Sequence, residues 1–178
     1  MKTLKKVGIS LLGIIAIALI TALFVSKDAS YDKSIIINAP VEVVWQHVAT
    51  FEAQGKWSPW SVYDPEIKQE LIGIDGAVGA KQSWESEHEK VGKGEQTIFN
   101  MVPNSIIETD LKFYVPYESE AKGFIKLELE GSGTKVTWGF KSVMPYPFNL
   151  MKLFMDLDEM MEEDWNLGLN KLKELSED

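Results

Sequence analysis

Hydrophobic and polar positions divide the chain into three stretches. The first is an unbroken apolar run, VGISLLGIIAIALITALFV, from Val7 to Val25, preceded by Lys2, Lys5 and Lys6. Its nineteen residues would make about 28 Å of helix at ~1.5 Å per residue, close to the roughly 30 Å hydrocarbon core of a bilayer. A cleaved signal peptide has a shorter apolar core and a small-x-small exit. Here FVSKDAS puts Lys27 and Asp28 at that exit. The pattern predicts an uncleaved signal-anchor over residues 1–26, with its lysines cytoplasmic and the remaining chain extracytoplasmic at the cell membrane. Secretion after signal cleavage is the alternative. Gly8 and Gly13 are too far apart for a GxxxG pair, so no helix dimer is expected.

The second stretch changes its period several times. Residues 27–32, KDASYD, read as a polar tether, and KSIIIN (33–38) as a strand. In NAPVEVVWQHV, Asn38 can cap a helix, Pro40 suits its first turn and Glu42 its positive end. Val41, Val44, Trp45 and Val48 then fall at helical spacing. Phe51 to Trp57 reads as a second short helix, ended by Ser58-Pro59. Strand candidates follow at 66–73 and 80–86, flanking the turn GIDGAVG, and then at 94–102, 105–115, 123–131 and 134–143. The short connections between them imply an antiparallel meander.

The third stretch opens at PYPFN and runs to about Leu175. Met151, Phe154, Met161, Trp165, Gly168, Leu172 and Leu175 recur at steps of three and four, the stripe of one long amphipathic helix. Strand, two short helices, a meander and a long helix make an α+β domain with six to seven strands. The long helix is the element large enough to cover the sheet. A curved sheet with a helix across its opening tends to leave an apolar cavity between them.

Composition narrows the function. The chain has 178 residues and 45% hydrophobic content, enough for one real core. It has no Cys, which excludes disulfides, thiolate nucleophiles and a lipoprotein anchor. Net charge is −9, and every acid lies at or after Asp28, so nucleic acid is not an expected partner. Asp156, Asp158, Glu159, Glu162, Glu163 and Asp164 crowd the last helix, mostly off its apolar stripe. They read as a solvated face, with docking of a cationic protein partner as the alternative.

The segment IIINAPVEVVWQHVATFEAQGKWSPW resembles the opening of the START-like, helix-grip superfamily, in particular its SRPBCC branch of polyketide cyclase/dehydrase type. The hairpin GSGTKVTWGF and the helix entry MPYPFNLM match as well, so the resemblance spans about residues 33–175. It implies a START-like domain over 33–178 with a ligand cavity. It does not imply one chemistry, since the superfamily holds lipid carriers, cyclases, hydroxylase subunits and cochaperone domains.

Within that resemblance, Trp57 and Trp60 lie where the short helices meet the sheet, near one end of the cavity, either as rim or as plain core. Trp84, Phe99, Met101, Phe113, Trp138, Phe140, Met144, Phe148, Met151 and Met155 are the wider candidate lining, suited to a flexible apolar guest. Catalytic candidates are weak. Glu95 shares parity with Thr97, Phe99 and Met101, which would turn it inward, while Asp110 falls on the polar face. His47 sits among apolar neighbours on the first short helix and reads as structural rather than catalytic. His88 with Glu85, Glu87 and Glu89 reads as a solvated turn rather than a cation site, so no metal is expected. GIDGAVG lacks the Lys and the strand-to-helix setting of a phosphate loop, and no cofactor motif occurs. The expectation is binding of a hydrophobic or amphipathic, lipid-like molecule without chemistry. A cyclase or hydrolase using an inward polar group, and a protein-interaction module, are the alternatives.

Overall fold

The computed structural model describes residues 2–178. Helix α1 (Lys2–Ala22) is followed by β1 (Tyr31–Ile37) and three short helices, α2 (Val41–Val48), α3 (Phe51–Gly55) and α4 (Pro59–Tyr63). Strands β2 (Lys68–Ile72), β3 (Lys81–Glu85), β4 (Lys93–Val102), β5 (Ile106–Val115), β6 (Ser119–Glu130) and β7 (Gly133–Ser142) come next. A 3-10 helix (Phe148–Leu153) and α5 (Leu157–Glu177) complete the chain. The strands form one antiparallel sheet in the order β1-β7-β6-β5-β4-β3-β2, the α+β helix-grip arrangement, with α5 laid across it.

Several boundaries differ from those the pattern suggests, each for a local reason. Ser58-Pro59 starts a third short helix rather than only ending the second, because proline is pre-set for a first helical position. Pro40, not Asn38, is the N-cap of α2, and the Asn38 backbone N–H donates instead to Glu177 Oε1 at 2.6 Å. The last helix does not run on from PYPFN. Asp156 Oδ1 accepts from the N–H groups of Asp158 and Glu159, capping α5 and separating it from the 3-10 helix. Met151 and Phe154 therefore lie outside the α5 stripe, although their spacing continues it.

Residues 27–30 are paired rather than free. The Ala29 N–H donates to Ser142 O at 3.0 Å, the Met144 N–H donates to Lys27 O at 2.8 Å, and Asp28 bridges Val143. The end of α1 is also held. Asn149, buried within the 3-10 helix, donates from Nδ2 to Ala22 O at 2.7 Å and Val25 O at 2.8 Å. The Ala22 carbonyl is at the end of α1, where the last backbone acceptors lack intrahelical partners, and Val25 lies three residues beyond it.

The core is concentrated under α5. Ile37 of β1, Val136 of β7 and Leu127 of β6 face Leu169 and Leu172 of α5, with Val44 and Val48 of α2 closing one side, all buried. Each such aliphatic side chain contributes about 1.5–3 kcal/mol by leaving water. Gly168 lets α5 come this close. A Cβ there would lie 2.9 Å from the Trp138 ring and 3.1 Å from Pro59 Cδ.

Candidate functional site

The helices do not cover the whole inner face of the sheet. Over β2 to β5, the first half of β6 and the second half of β7, a cavity of about 490 Å³ remains. Four tryptophans divide it from the packed core. Trp138 and Trp165 stack at 4.4 Å, and Trp57 and Trp60 meet the Trp138 ring edge-to-face at 5.0 and 5.6 Å. Trp57 is 2% exposed and donates from Nε1 to His47 O at 2.9 Å, while Trp165 Nε1 donates to Trp138 O at 2.9 Å. Satisfied indole N–H groups and edge-to-face contacts hold these rings in fixed positions. Trp60 is less buried than Trp57, and both line the cavity. Trp57 is therefore core and cavity wall at once.

Trp84, Phe113, Trp138 and Phe140 also line the cavity. Gly94 of β4 makes room for Trp84, since a Cβ there would come within 2.5 Å of the indole. The remaining predicted lining residues lie elsewhere. Met101 packs against the buried core, and Phe99 is on the outer face with Lys122 Nζ 4.3 Å above its ring. Met144 follows β7 and is partly buried, and Met155 borders a shallow cleft beside Asp28 and Asp156. Phe148 and Met151 project outward from the 3-10 helix.

The inward parity of Glu95 is a correction. A bulge between Ile98 and Asn100 breaks the alternation of β4, so counting back from Met101 assigns the wrong face. Gly94 and Ile98 are buried and Gln96 lines the cavity, whereas Glu95 pairs with Lys81 at 2.9 Å. That hydrogen bond to Lys81 holds the Glu95 carboxyl below its ordinary range. Asp110 is outside as expected, 2.6 Å from Lys122. His47 is not a lining residue, and only its backbone carbonyl reaches the site, through Trp57. His88 stacks on Tyr63 with ring centroids 5.7 Å apart. Among the described residues, no group of three or more His, Asp or Glu is placed to hold a metal ion.

Sequence reasoning missed the polar part of the lining. Gln69, Gln82 and Gln96 lie on successive strands β2, β3 and β4, and Gln96 Nε2 donates to Gln82 Oε1 at 2.9 Å. Thr109 continues this polar row on β5. The alternation Ile107, Thr109, Leu111, Phe113 was readable, and all four line the cavity. Each amide keeps bonding capacity beyond the one shared bond, so the row can meet a hydroxyl, carbonyl or amide of a guest.

Charged groups gather at the rim. The Tyr63 hydroxyl donates to Asp164 Oδ1, and Lys90 Nζ lies 3.2 Å from the same hydroxyl and 3.7 Å from that carboxylate. Helix α4, the β3–β4 loop and α5 are thereby joined across one side of the mouth. The bond to Asp164, with burial second, raises the Tyr63 phenol above its ordinary range, and the bond to Tyr63 likewise raises Lys90.

This architecture is shared with known proteins. The protein CV1439 from Chromobacterium violaceum is 18% identical and aligns over 84% of this chain and 97% of its own, with TM-score 0.59. The Aha1 dimer from Colwellia psychrerythraea has 17% identity, coverage of 83% and 96%, and TM-score 0.56. The di-domain ARO/CYC StfQ from the steffimycin biosynthetic pathway has 9% identity and TM-score 0.63 over 84% of this chain and 51% of its own. At these identities the likeness is one of fold. No curated protein matches the sequence significantly. The profile for polyketide cyclase/dehydrase and lipid transport matches residues 28–177, nearly all of the chain beyond α1. The chain belongs to this polyketide cyclase/dehydrase and lipid transport family.

Proposed function

We propose that the protein binds a hydrophobic or amphipathic small molecule of lipid type between sheet and α5, without chemistry on it, while α1 holds the domain at a membrane. The cavity itself carries the reading. Its walls are Trp, Phe and aliphatic side chains, and its inner polar groups are neutral amides and a hydroxyl. Such a lining desolvates a long apolar body and hydrogen-bonds an uncharged polar group on it. Its charged lining residues, Glu89, Lys90, Glu120 and Asp164, lie in the β3–β4 loop, near the start of β6 and on α5. Neither catalytic candidate, Glu95 or His47, contributes a side chain, which weakens the cyclase or hydrolase alternative. A cavity left open also weighs against a purely protein-binding role.

The anchoring part rests on Lys5–Ala22, a helix segment long and apolar enough to cross a bilayer, with only 6% of it buried within the protein. The lysines before Val7 favour a cytoplasmic start and an extracytoplasmic domain. Native mass spectrometry of the full chain from detergent, with extraction of copurified lipid, tests the binding reading. A bound acyl or isoprenoid species supports it. A clean apo mass, with no uptake of a fluorescent fatty acid, refutes it.

A further inference from the structure

The 3-10 helix and the residue after it expose four large apolar side chains, Phe148, Met151, Leu153 and Phe154, the last at 87%. Exposed apolar groups this dense mark a surface that meets something other than water. In their midst Asn149 is buried and bonded to the carbonyls of Ala22 and Val25. The 3-10 helix is therefore locked to the end of α1 and the turn after it, where Leu23 and Phe24 are also exposed. The two segments form one apolar tip.

That continuity names the occupant. The 18 residues Lys5–Ala22 make about 27 Å of helix, so a membrane-spanning α1 brings Ala22 to Val25 to the edge of the hydrocarbon. The 3-10 helix, bonded to those residues, reaches the same level. Lys27 follows the end of α1 and Lys152 lies within the 3-10 helix with its Nζ tied to Asp28 O, placing two cations where headgroup phosphates lie. The β5–β6 turn is at the same end of the sheet and exposes Val115 and Tyr117, both on the cavity lining. Leu157, four residues after Leu153, lines the cavity from the other side.

We propose that this tip inserts into the bilayer leaflet at which α1 emerges and turns the cavity mouth toward the lipid. A guest then passes from leaflet to cavity between the 3-10 helix and the β5–β6 turn. This rests on the reading of α1 as a membrane span.

The chain has no Cys, so single-cysteine variants carry one nitroxide each. Phe148→Cys, Phe154→Cys and Tyr117→Cys are compared with Ile14→Cys in α1 and Leu129→Cys, which is 77% exposed near the opposite end of the sheet. The labelled full chain is reconstituted in phosphatidylcholine vesicles, and collision with oxygen and with a nickel chelate is measured. The labels at 148, 154 and 117 should lose most of the nickel accessibility seen at 129 and keep that to oxygen. If Ile14 is in lipid while 148 and 154 are as wet as 129, the inference fails and the anchor stands. If Ile14 is also wet, both fail. Shielding from both reagents with spin–spin broadening would assign the tip to a second copy and overturn the proposal. Phe148→Glu with Phe154→Glu separates mouth from pocket. It should slow uptake of a fluorescent fatty acid from vesicles and leave equilibrium binding from detergent intact; an unchanged uptake rate would refute the entry route.

Discussion

The sheet has a filled half and a hollow half. Over β1, the second half of β6 and the first half of β7, branched aliphatic side chains pack against α5 and α2, and Val136, Ile37, Val44 and Leu172 are wholly buried. Over β2 to β5 the inner face bears long amides and rings, Gln82, Gln96, Trp84 and Phe113, and no helix lies on them. The same sheet thus serves two purposes. One half supplies most of the packing, and the stacked and edge-on tryptophans form the partition between it and the cavity.

The sharpest test of this division is Leu172→Ala. A fully enclosed site relaxes little around a deletion, so the loss should be about 2–5 kcal/mol in chemical denaturation. A loss well under that would mean the filled half is loosely packed. Next is Gly168→Ala, which presses a methyl against Trp138 and Pro59. It should cost about 1–3 kcal/mol, read by thermal unfolding, and disturb binding as well because Trp138 is cavity wall.

The hollow half should respond differently. Gln82→Leu with Gln96→Leu removes a mutual hydrogen bond from partly buried positions and leaves no orphaned partner between them. Stability should change little, whereas affinity for a hydroxylated or carbonyl-bearing guest should fall relative to its plain hydrocarbon analogue. At about 0.5–1.5 kcal/mol per bond, the shift is several-fold, measured by competition with a fluorescent fatty acid. Equal loss for both guests would mean the amides only fill space.

The smallest effect concerns the rim. Tyr63 has a folded value raised above its unfolded one, so its contribution is complete below about pH 10 and is lost as pH rises through the raised value. Tyr63→Phe should remove a late, high-pH portion of the tyrosinate absorbance change. A titration that loses an early portion instead would show that the bond to Asp164 does not hold in solution.

The succession of strands, the closing long helix and the inner face of β5 were legible in the sequence because each is set by local period, whereas α4 and the separate 3-10 helix were not. The bulge after Ile98 was not, since it depends on how β4 pairs with β5, and it misdirected the reading of Glu95 and Phe99. The break at Asp156 was hidden because Met151 and Phe154 keep helical spacing in a 3-10 segment that serves a different neighbour. The amide row was missed because Gln69, Gln82 and Gln96 lie far apart in sequence and share a face only after strands β2 to β4 pair. Trp57 and Trp60 stand out as a pair in the sequence, whereas their setting depends on Trp138 and Trp165, contributed by β7 and α5.

The grip of Asn149 on the carbonyls of Ala22 and Val25, with residues 27–30 pinned to the end of β7, has a consequence for search geometry. A pocket on a loose leash sweeps a hemisphere and can bridge to a facing surface. A pocket joined this stiffly to a membrane span cannot lean out, and its partners must come within a side chain's reach. If α1 spans a bilayer as proposed, the pocket would explore a plane rather than a volume, meeting any guest by lateral diffusion and passing it only to acceptors that share its sheet of lipid or dock directly against its mouth.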